Sequence, residues 1–524
     1  MDICKNTEVL MKTMGVPALQ PDPGQARQWG RFQVLRPLWS AAWTLTLISV
    51  LSLPTLNANA ESPLSPQDEL EKSIWLADPA QLNDYEIQAA RIVQEDPYSA
   101  WGHYLLAQLY LRQFKNSPSQ LKLLKQAAEL GQQAIDLAPS LDYGYVISAQ
   151  VLDLMGYTEN AITVLEGEGR KALKPSWRTH FLKGQLLNGQ VPDNKVLAFF
   201  DQGIQTQGAI HDIVVPYLVA TLQGSHQGEE LTRQLQYWRK KQPHRLFDLS
   251  LAMAYADQKR YDEAHQIYAQ LRSQHKNFRE ASINDAVLLY TYLNRQSEAE
   301  TLLKQLIEEA HTLDAFKKSL VHAHMGKLLL SKTKRFEEAR KHFVLAIGSA
   351  KNPMEWVSFS HKAYEQNQRL NDFIQVLEDV QEKIPGSSML YALQGEVLSE
   401  NLALHEEAVD SFNSAILLDP RRSEFYNGLG LAYYRMNKLE SALKVFSQAT
   451  RVDPQDATSR YNEACVLAVL GRSTEALGSL REAIDLDPRL QQTARHDKDF
   501  ENIRESELFR SLTEPHSSAA TKAP

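Results

Sequence analysis

The sequence predicts an all-α chain, a solenoid of antiparallel helix pairs, and three observations carry that expectation. Asp419-Pro420, Asp453-Pro454 and Asp487-Pro488 recur every 34 residues. Ala408, Ala442 and Ala476 keep the same step, and so do Ala415, Ala449 and Ala483. Phe412, Phe446 and Leu480 follow it as well. A period of this length belongs to one supersecondary unit, which cannot bury its apolar face alone and must stack on its neighbours. With 524 residues, 43% hydrophobic and 23% charged, the chain has enough apolar material for a long continuous core.

The first sixty residues have a different character. No charge falls between Arg36 and Glu61, and residues 38–53 are apolar with small polar interruptions. Arg27, Arg31 and Arg36 precede this run, and Pro54 and Ala58-Asn59-Ala60 follow it, the small-x-small pattern that signal peptidase reads. Residues 1–60 are therefore expected to be a secretory signal peptide cut before Glu61. The alternative is an uncleaved anchor, since the charge-free stretch approaches the ~20 residues of a spanning helix. The segment ahead of the apolar run is long for an export signal, which makes Met11 or Met14 alternative starts. No cysteine lies near the cut, so a lipidated N-terminal cysteine is excluded.

Beyond residue 60 the chain carries 51 Lys and Arg against 61 Asp and Glu. This acidic balance argues against nucleic acid as a partner. Cys4 and Cys465 are too few for a disulfide framework or a four-thiolate zinc site, and the apolar helical setting of Cys465 predicts burial.

Within the clearest unit, Tyr426-x-x-Leu429-Gly430-x-x-Tyr433 is followed by Ala442-x-x-x-Phe446-x-x-Ala449 and Pro454. This resembles the tetratricopeptide repeat (TPR) family, with Tyr in the place of the usual first Trp. Small Gly430 and Ala442 are expected where the two helices cross. Tyr433, Phe446 and Ala449 are expected to fill the seam to the next unit, and Pro454 to stop the second helix. The pattern continues upstream in weaker form, through Asn352-Pro353 with Phe373 and Leu377, Gly326 with Phe343, and Ala286 with Ala299 and Leu303. It is traced further in Ala252 with Ala264, Gly184 with Ala198, Ala149 with Ala161, and Ala107 with Ala128.

These readings divide the chain into the export segment 1–60, an N-terminal partial repeat at 61–98 and TPR-like repeats at 99–206. An irregular helical segment at 207–245 follows, marked by Pro216 and Gly224, then divergent repeats at 246–388 and well-matched repeats at 389–488. A capping helix is expected at 489–513 and a disordered tail at 514–524. In the partial repeat, a helix at 84–97 is expected to pair with one starting near Gln67. About eleven or twelve units fit the length.

Enzyme motifs are absent: there is no Walker loop, Gly-x-Gly-x-x-Gly, Gly-x-Ser-x-Gly or His-Glu-x-x-His. Gly428-Leu429-Gly430 lies inside a helix and reads as packing. His322 and His324 are two residues apart, on different sides of a helix, which is no metal site. His405-Glu406-Glu407 and Asp497-Lys498-Asp499 read as solvated turns. The cluster Tyr237-Trp238-Arg239-Lys240-Lys241, with His244 and Arg245, offers either an anion-binding patch or cations placed by the helix dipole, and the second is preferred. No cofactor and no metal are expected.

The TPR resemblance implies a right-handed superhelix whose first helices line a concave groove for peptides or partner proteins. Ligand positions carried over from the family fall on Glu424, Asn427, Leu431 and Tyr434, with Arg435 adjacent. In the next unit they fall on Thr458, Tyr461 and Cys465, and in the first complete unit on Trp101, Tyr104, Gln108 and Leu111. The Lys and Asn pair of the carboxylate-clamp subfamily is absent from the strong units, where Asn427 stands alone. The packing alternative is that these side chains lie between units.

The expected function is a non-enzymatic protein-interaction scaffold of a bacterial cell envelope, exported to the periplasm, with a peptide or protein partner of unknown identity. The alternative is an adaptor anchored in the inner membrane, touching the membrane only through its N-terminal segment and recruiting a polysaccharide- or peptidoglycan-processing enzyme. An enzyme with its site in the irregular middle is the remote reading.

Overall fold

A computed structural model describes residues 64–77, 79–166 and 175–513. The expected signal peptide and the expected tail lie outside the described residues. Among the described residues there are 26 α-helices and no strands. The chain divides into two compact units, residues 1–302 and 303–524.

The N-terminal unit opens with α1 (Pro66–Leu76) and α2 (Leu82–Glu95). Helix pairs follow: α3 (Ala100–Asn116) with α4 (Leu121–Leu137), α5 (Tyr143–Leu154) with α6 (Thr158–Glu166), and α7 (Trp177–Leu187) with α8 (Asp193–Gln205). Then come α9 (His211–Ser225) with α10 (Gly228–Lys241), α11 (Arg245–Asp257) with α12 (Tyr261–Gln274), and α13 (Arg279–Thr291). The division falls inside α14 (Gln296–Glu308).

The C-terminal unit continues with α15 (Ala315–Leu328) and α16 (Phe336–Gly348), α17 (Pro353–Gln366) and α18 (Leu370–Lys383), and α19 (Ser388–Glu396) and α20 (His405–Leu418). The last pairs are α21 (Ser423–Arg435) with α22 (Leu439–Val452) and α23 (Ala457–Val469) with α24 (Ser473–Leu486). The unit ends in α25 (Leu490–His496) and α26 (Glu507–Thr513). By chain order α3 to α24 make eleven pairs.

One contact recurs in these pairs and explains the sequence period. A Cβ on Gly430 would come within 2.5 Å of the Phe446 ring, so glycine lets α21 and α22 close. Phe446 thus packs within its own pair, and it also joins the core that includes Tyr461 and Ala464 of the next pair, the seam where the sequence reading placed it. Gly326 faces Phe343 and Gly395 faces Phe412 in the same way, but 17 residues apart rather than 16. Those are the two pairs whose first helix ends in a π turn, Leu329–Thr333 and Val397–Asn401. The wider turn takes up the additional residue and keeps glycine opposite phenylalanine. In the C-terminal unit the link to each second helix passes through a left-handed residue, at Lys334, Gln368, Ala403, Asn437 and Gly471.

Two expectations need correction and a third is refined. In the segment 207–245, α9 runs through Pro216, held by buried Ile213, Val214, Val215, Leu218 and Leu222, and α10 follows it, the two helices packing loosely on each other. Burial of that apolar surface outweighs the one backbone donor that proline lacks. The cap at 489–513 is two short helices joined through a 3₁₀ turn, Lys498–Phe500, not one helix. It buries Ala494, Phe500, Ile503 and Phe509. Finally, α1 packs against α3 and α9 instead of pairing with α2. No helix among the described residues is long and apolar enough to cross a membrane.

Candidate functional site: the first-helix faces

The first helix of each pair contributes to one face of its unit, and in the N-terminal unit α1 lies on that face. Ser65 starts the helix by accepting the Asp68 N–H at 3.1 Å, with Pro66 in the first turn. Glu71, Lys72 and Ile74 of α1 are fully buried, and Leu70 packs beside them on the core, so its seat is both apolar and charged.

Glu71 accepts hydrogen bonds from Tyr104 Oη at 2.8 Å and from Arg178 Nε at 2.6 Å, and the Arg178 Nη2 group completes a forked pair. The Arg178 guanidinium also lies over the rings of Trp177, Tyr143 and Tyr104, 4.8, 5.1 and 5.4 Å from their centroids. Trp75 donates its indole N–H to Tyr104 Oη at 3.3 Å and sets its ring edge-on to Phe181 at 5.6 Å. Arg112 receives the C-terminal end of α1, donating to the carbonyls of Ile74 at 2.7 Å and Ala77 at 2.6 Å, and to that of Trp75.

Next to Glu71, Lys72 reaches Asp212 on α9 at 2.6 Å. Asp212 also meets Arg245 at 3.1 Å and His244 Nε2 at 3.3 Å. The Leu246 N–H reaches His244 Nδ1 at 3.3 Å, which turns the ring's Nε2 towards Asp212. Burial alone would raise the Asp212 carboxyl. The His244 bond, the Arg245 charge and the Lys72 bond reverse this and hold it far below the usual carboxylate range.

In the C-terminal unit the turn after α25 folds over the first-helix face. Tyr434 donates to Asp499 at 2.6 Å and Tyr461 to Asp497 at 2.7 Å. Phe500 meets the Tyr461 ring edge-on at 5.7 Å. Asp497-Lys498-Asp499 is thus no free solvated turn, as the sequence implied. Cys465, Asp497 and Asp499 place ligand atoms within 4.8 Å of one another. Both carboxylates accept from tyrosines, and burial together with Asp497 pushes the Cys465 thiol up.

Most positions that the TPR resemblance marks for a ligand are therefore occupied from within the chain. Tyr104 and Leu111 are buried, and buried Gln108 donates to Gln150 at 2.9 Å. Trp101 and Leu431 are half-buried against their units' cores. Asn427 is buried and donates to Asp456 at 2.9 Å and Ser459 at 2.5 Å, joining α21 to α23. Tyr434 and Tyr461 hold the terminal turn. Arg435 donates to Ser399 at 2.9 Å and pairs with Glu400. Glu424, Arg435 and Thr458 remain exposed.

Sequence reasoning missed Glu71, Lys72, Arg178 and Asp212. The usable signal was Arg178, which stands six residues before Gly184 as Trp101 stands six before Ala107, a ligand position by the same count. The basic cluster resolves into structural contacts. Arg239 pairs with Asp248 at 2.5 Å, Lys241 with Asp201 at 2.6 Å, and His244 and Arg245 begin α11. His322 meets His342 on α16, Nδ1 to Nδ1 at 2.9 Å, while buried His324 lies edge-on to Phe359.

Residues 427–490 match the tetratricopeptide repeat model. Superkiller protein 3 of Schizosaccharomyces pombe is 33% identical over 88 residues, 17% of this chain and 6% of that protein. A TPR repeat-containing protein of Methanocaldococcus jannaschii is 26% identical over 202 residues, 37% of this chain and 35% of that one. The chain thus spans a minor part of the length of both. Among solved structures, the C-terminal part of a TPR repeat-containing protein from Cytophaga hutchinsonii aligns with 46% of this chain and 95% of its own, at 16% identity and a TM-score of 0.30. The described chain is an array of antiparallel helix pairs, and residues 427–490 within it match the tetratricopeptide repeat model.

Proposed function

We propose that this protein is a non-enzymatic scaffold, exported into a bacterial cell envelope, that binds a helix or extended segment of a partner protein on its first-helix faces. One observation carries the reading. The faces already hold peptide segments, α1 in the N-terminal unit and residues 497–500 in the C-terminal unit, through the tyrosines and arginine at the ligand positions. Aromatic rings and charged forks of this kind are how peptide grooves gain affinity and register.

The experiment is photo-cross-linking in cells, with the photoreactive residue placed either at Glu424 or Arg435 on the first-helix face or at Lys444 on a second helix. A discrete protein adduct from the first two positions and none from the third supports the scaffold; adducts from Lys444 alone would move binding to the other face. Fractionation of the same cells tests location. Release of the shortened chain with the periplasm supports cleavage at Ala60, and recovery of the full-length chain in the membrane would favour the anchored adaptor, as the charge-free stretch from 37 to 60 allows.

A further inference from the structure

The seat of α1 has the character of a binding site rather than of a repeat junction. An isolated helix of 11 residues is marginal in water, so α1 depends on the face beneath it for its fold. That face sets buried charge beside the apolar and aromatic surface that takes Ile74 and Trp75. Glu71 and Lys72 are 0% and 2% exposed, and each meets a buried partner of opposite sign, on α7 and on α9. A buried ion pair contributes little net stability, because desolvation offsets the attraction, yet a mismatched charge in its place is costly. Such a seat fixes which helix binds and in which register, with modest strength. When α1 leaves, the charges of Arg178 and Asp212 regain water, which lowers the cost of opening.

We propose that the first-helix face of the N-terminal unit is a binding site for an amphipathic helix of a partner protein, carrying an adjacent acid and base with an aromatic residue one turn later. In the resting chain α1 occupies this site in cis, and the partner displaces it. The occupant is specified by what the face presents: Arg178 and Tyr104 for the acid, Asp212 for the base, and Phe181 beside Tyr104 for the aromatic ring. In α1 these are Glu71, Lys72 and Trp75. The inference rests on the scaffold reading above and names the partner's chemistry for one of its faces.

The test uses the chain from Glu61 onward, with a protease site replacing residues 78–80 between α1 and α2. The native protein is cut in solution, and a fluorescent synthetic peptide of residues 64–77 serves as the probe, read by anisotropy. The cut protein is expected to bind the probe saturably while the uncut protein does not, because tethered α1 holds the site. A Glu71→Arg probe is expected to bind at least tenfold more weakly to the same protein, a comparison that requires no protein substitution. Arg178→Glu protein, shown to be folded by circular dichroism, should reverse the preference.

Equal binding of the two probes, or none to the cut protein, would overturn the proposal. Concentration-dependent dimers of the uncut chain, abolished by Glu71→Arg, would make a second copy the occupant and overturn it as well. Because this assay reads the α1 seat alone, its failure leaves the scaffold reading to the cross-linking experiment.

Discussion

Tyr461 shows how one hydroxyl ties a terminal segment to a repeat. Its donation to the Asp497 carboxylate is a bond to a charged acceptor, so Tyr461→Phe is expected to lower stability by about 2 kcal/mol, read as a lower urea midpoint at unchanged slope. Histidines make a second prediction at this scale. Burial, with His342 beside it, lowers His322 to about 4, and burial, with Lys327 nearby, lowers His324 to about 3. Both sit well below the ordinary value near 6.5, so the unfolded chain takes up these protons first. Stability is therefore full above about pH 6.5 and falls as the pH drops towards 4 and 3. Urea unfolding at pH 7.5, 6 and 5 should show a falling midpoint, and a His322→Gln/His324→Met variant a shallower fall; equal falls would assign the acid sensitivity elsewhere. Neither effect is legible from sequence, because an Asp-Lys-Asp turn and a His-x-His pair look solvated until the fold places other groups against them.

At the scale of the element, the helix pair is set by a glycine opposite a phenylalanine, and this was largely readable. The 34-residue step located Gly430, Ala442 and Phe446 in the best repeats because sterics leave few residue types that fit a close crossing. The π turns were not readable, since an added residue in a helix changes spacing without changing composition. They predict an asymmetry between deletions. Removing exposed Lys332 from the π turn Leu329–Thr333 lets it close as an ordinary helical turn and keeps Gly326 on Phe343, at a cost near 1 kcal/mol. Deleting Arg435 from α21, which has no residue to spare, draws Phe446 off Gly430 and is expected to cost the roughly 3–5 kcal/mol of a lost core aromatic. Thermal unfolding of the two deletions measures the difference, and similar losses would contradict the role given to the π turn. Pro216 was misread for a related reason: propensity warned of a break, and burial along α9 overrode it.

For the whole molecule, the repeat architecture was legible because each unit restates the pattern, and the occupied faces were not, because they depend on pairs far apart in sequence. Glu71 and Arg178 are 107 residues apart, and nothing in the local sequence of either marks the other. Of the positions that the TPR resemblance assigns to a ligand, Tyr104 grips α1, and Tyr434 and Tyr461 grip the terminal turn. The measurement that tests this most directly is a double-mutant cycle on that pair, by equilibrium urea unfolding of Glu71→Arg, Arg178→Glu and the double reversal. The account predicts that each single reversal costs about 3–5 kcal/mol and that the double variant recovers at least about 2 kcal/mol of the combined loss. Single variants within about 0.5 kcal/mol of the parent, or a double variant whose loss equals the sum of the two, would mean that α1 is not held on the first-helix face by these charges.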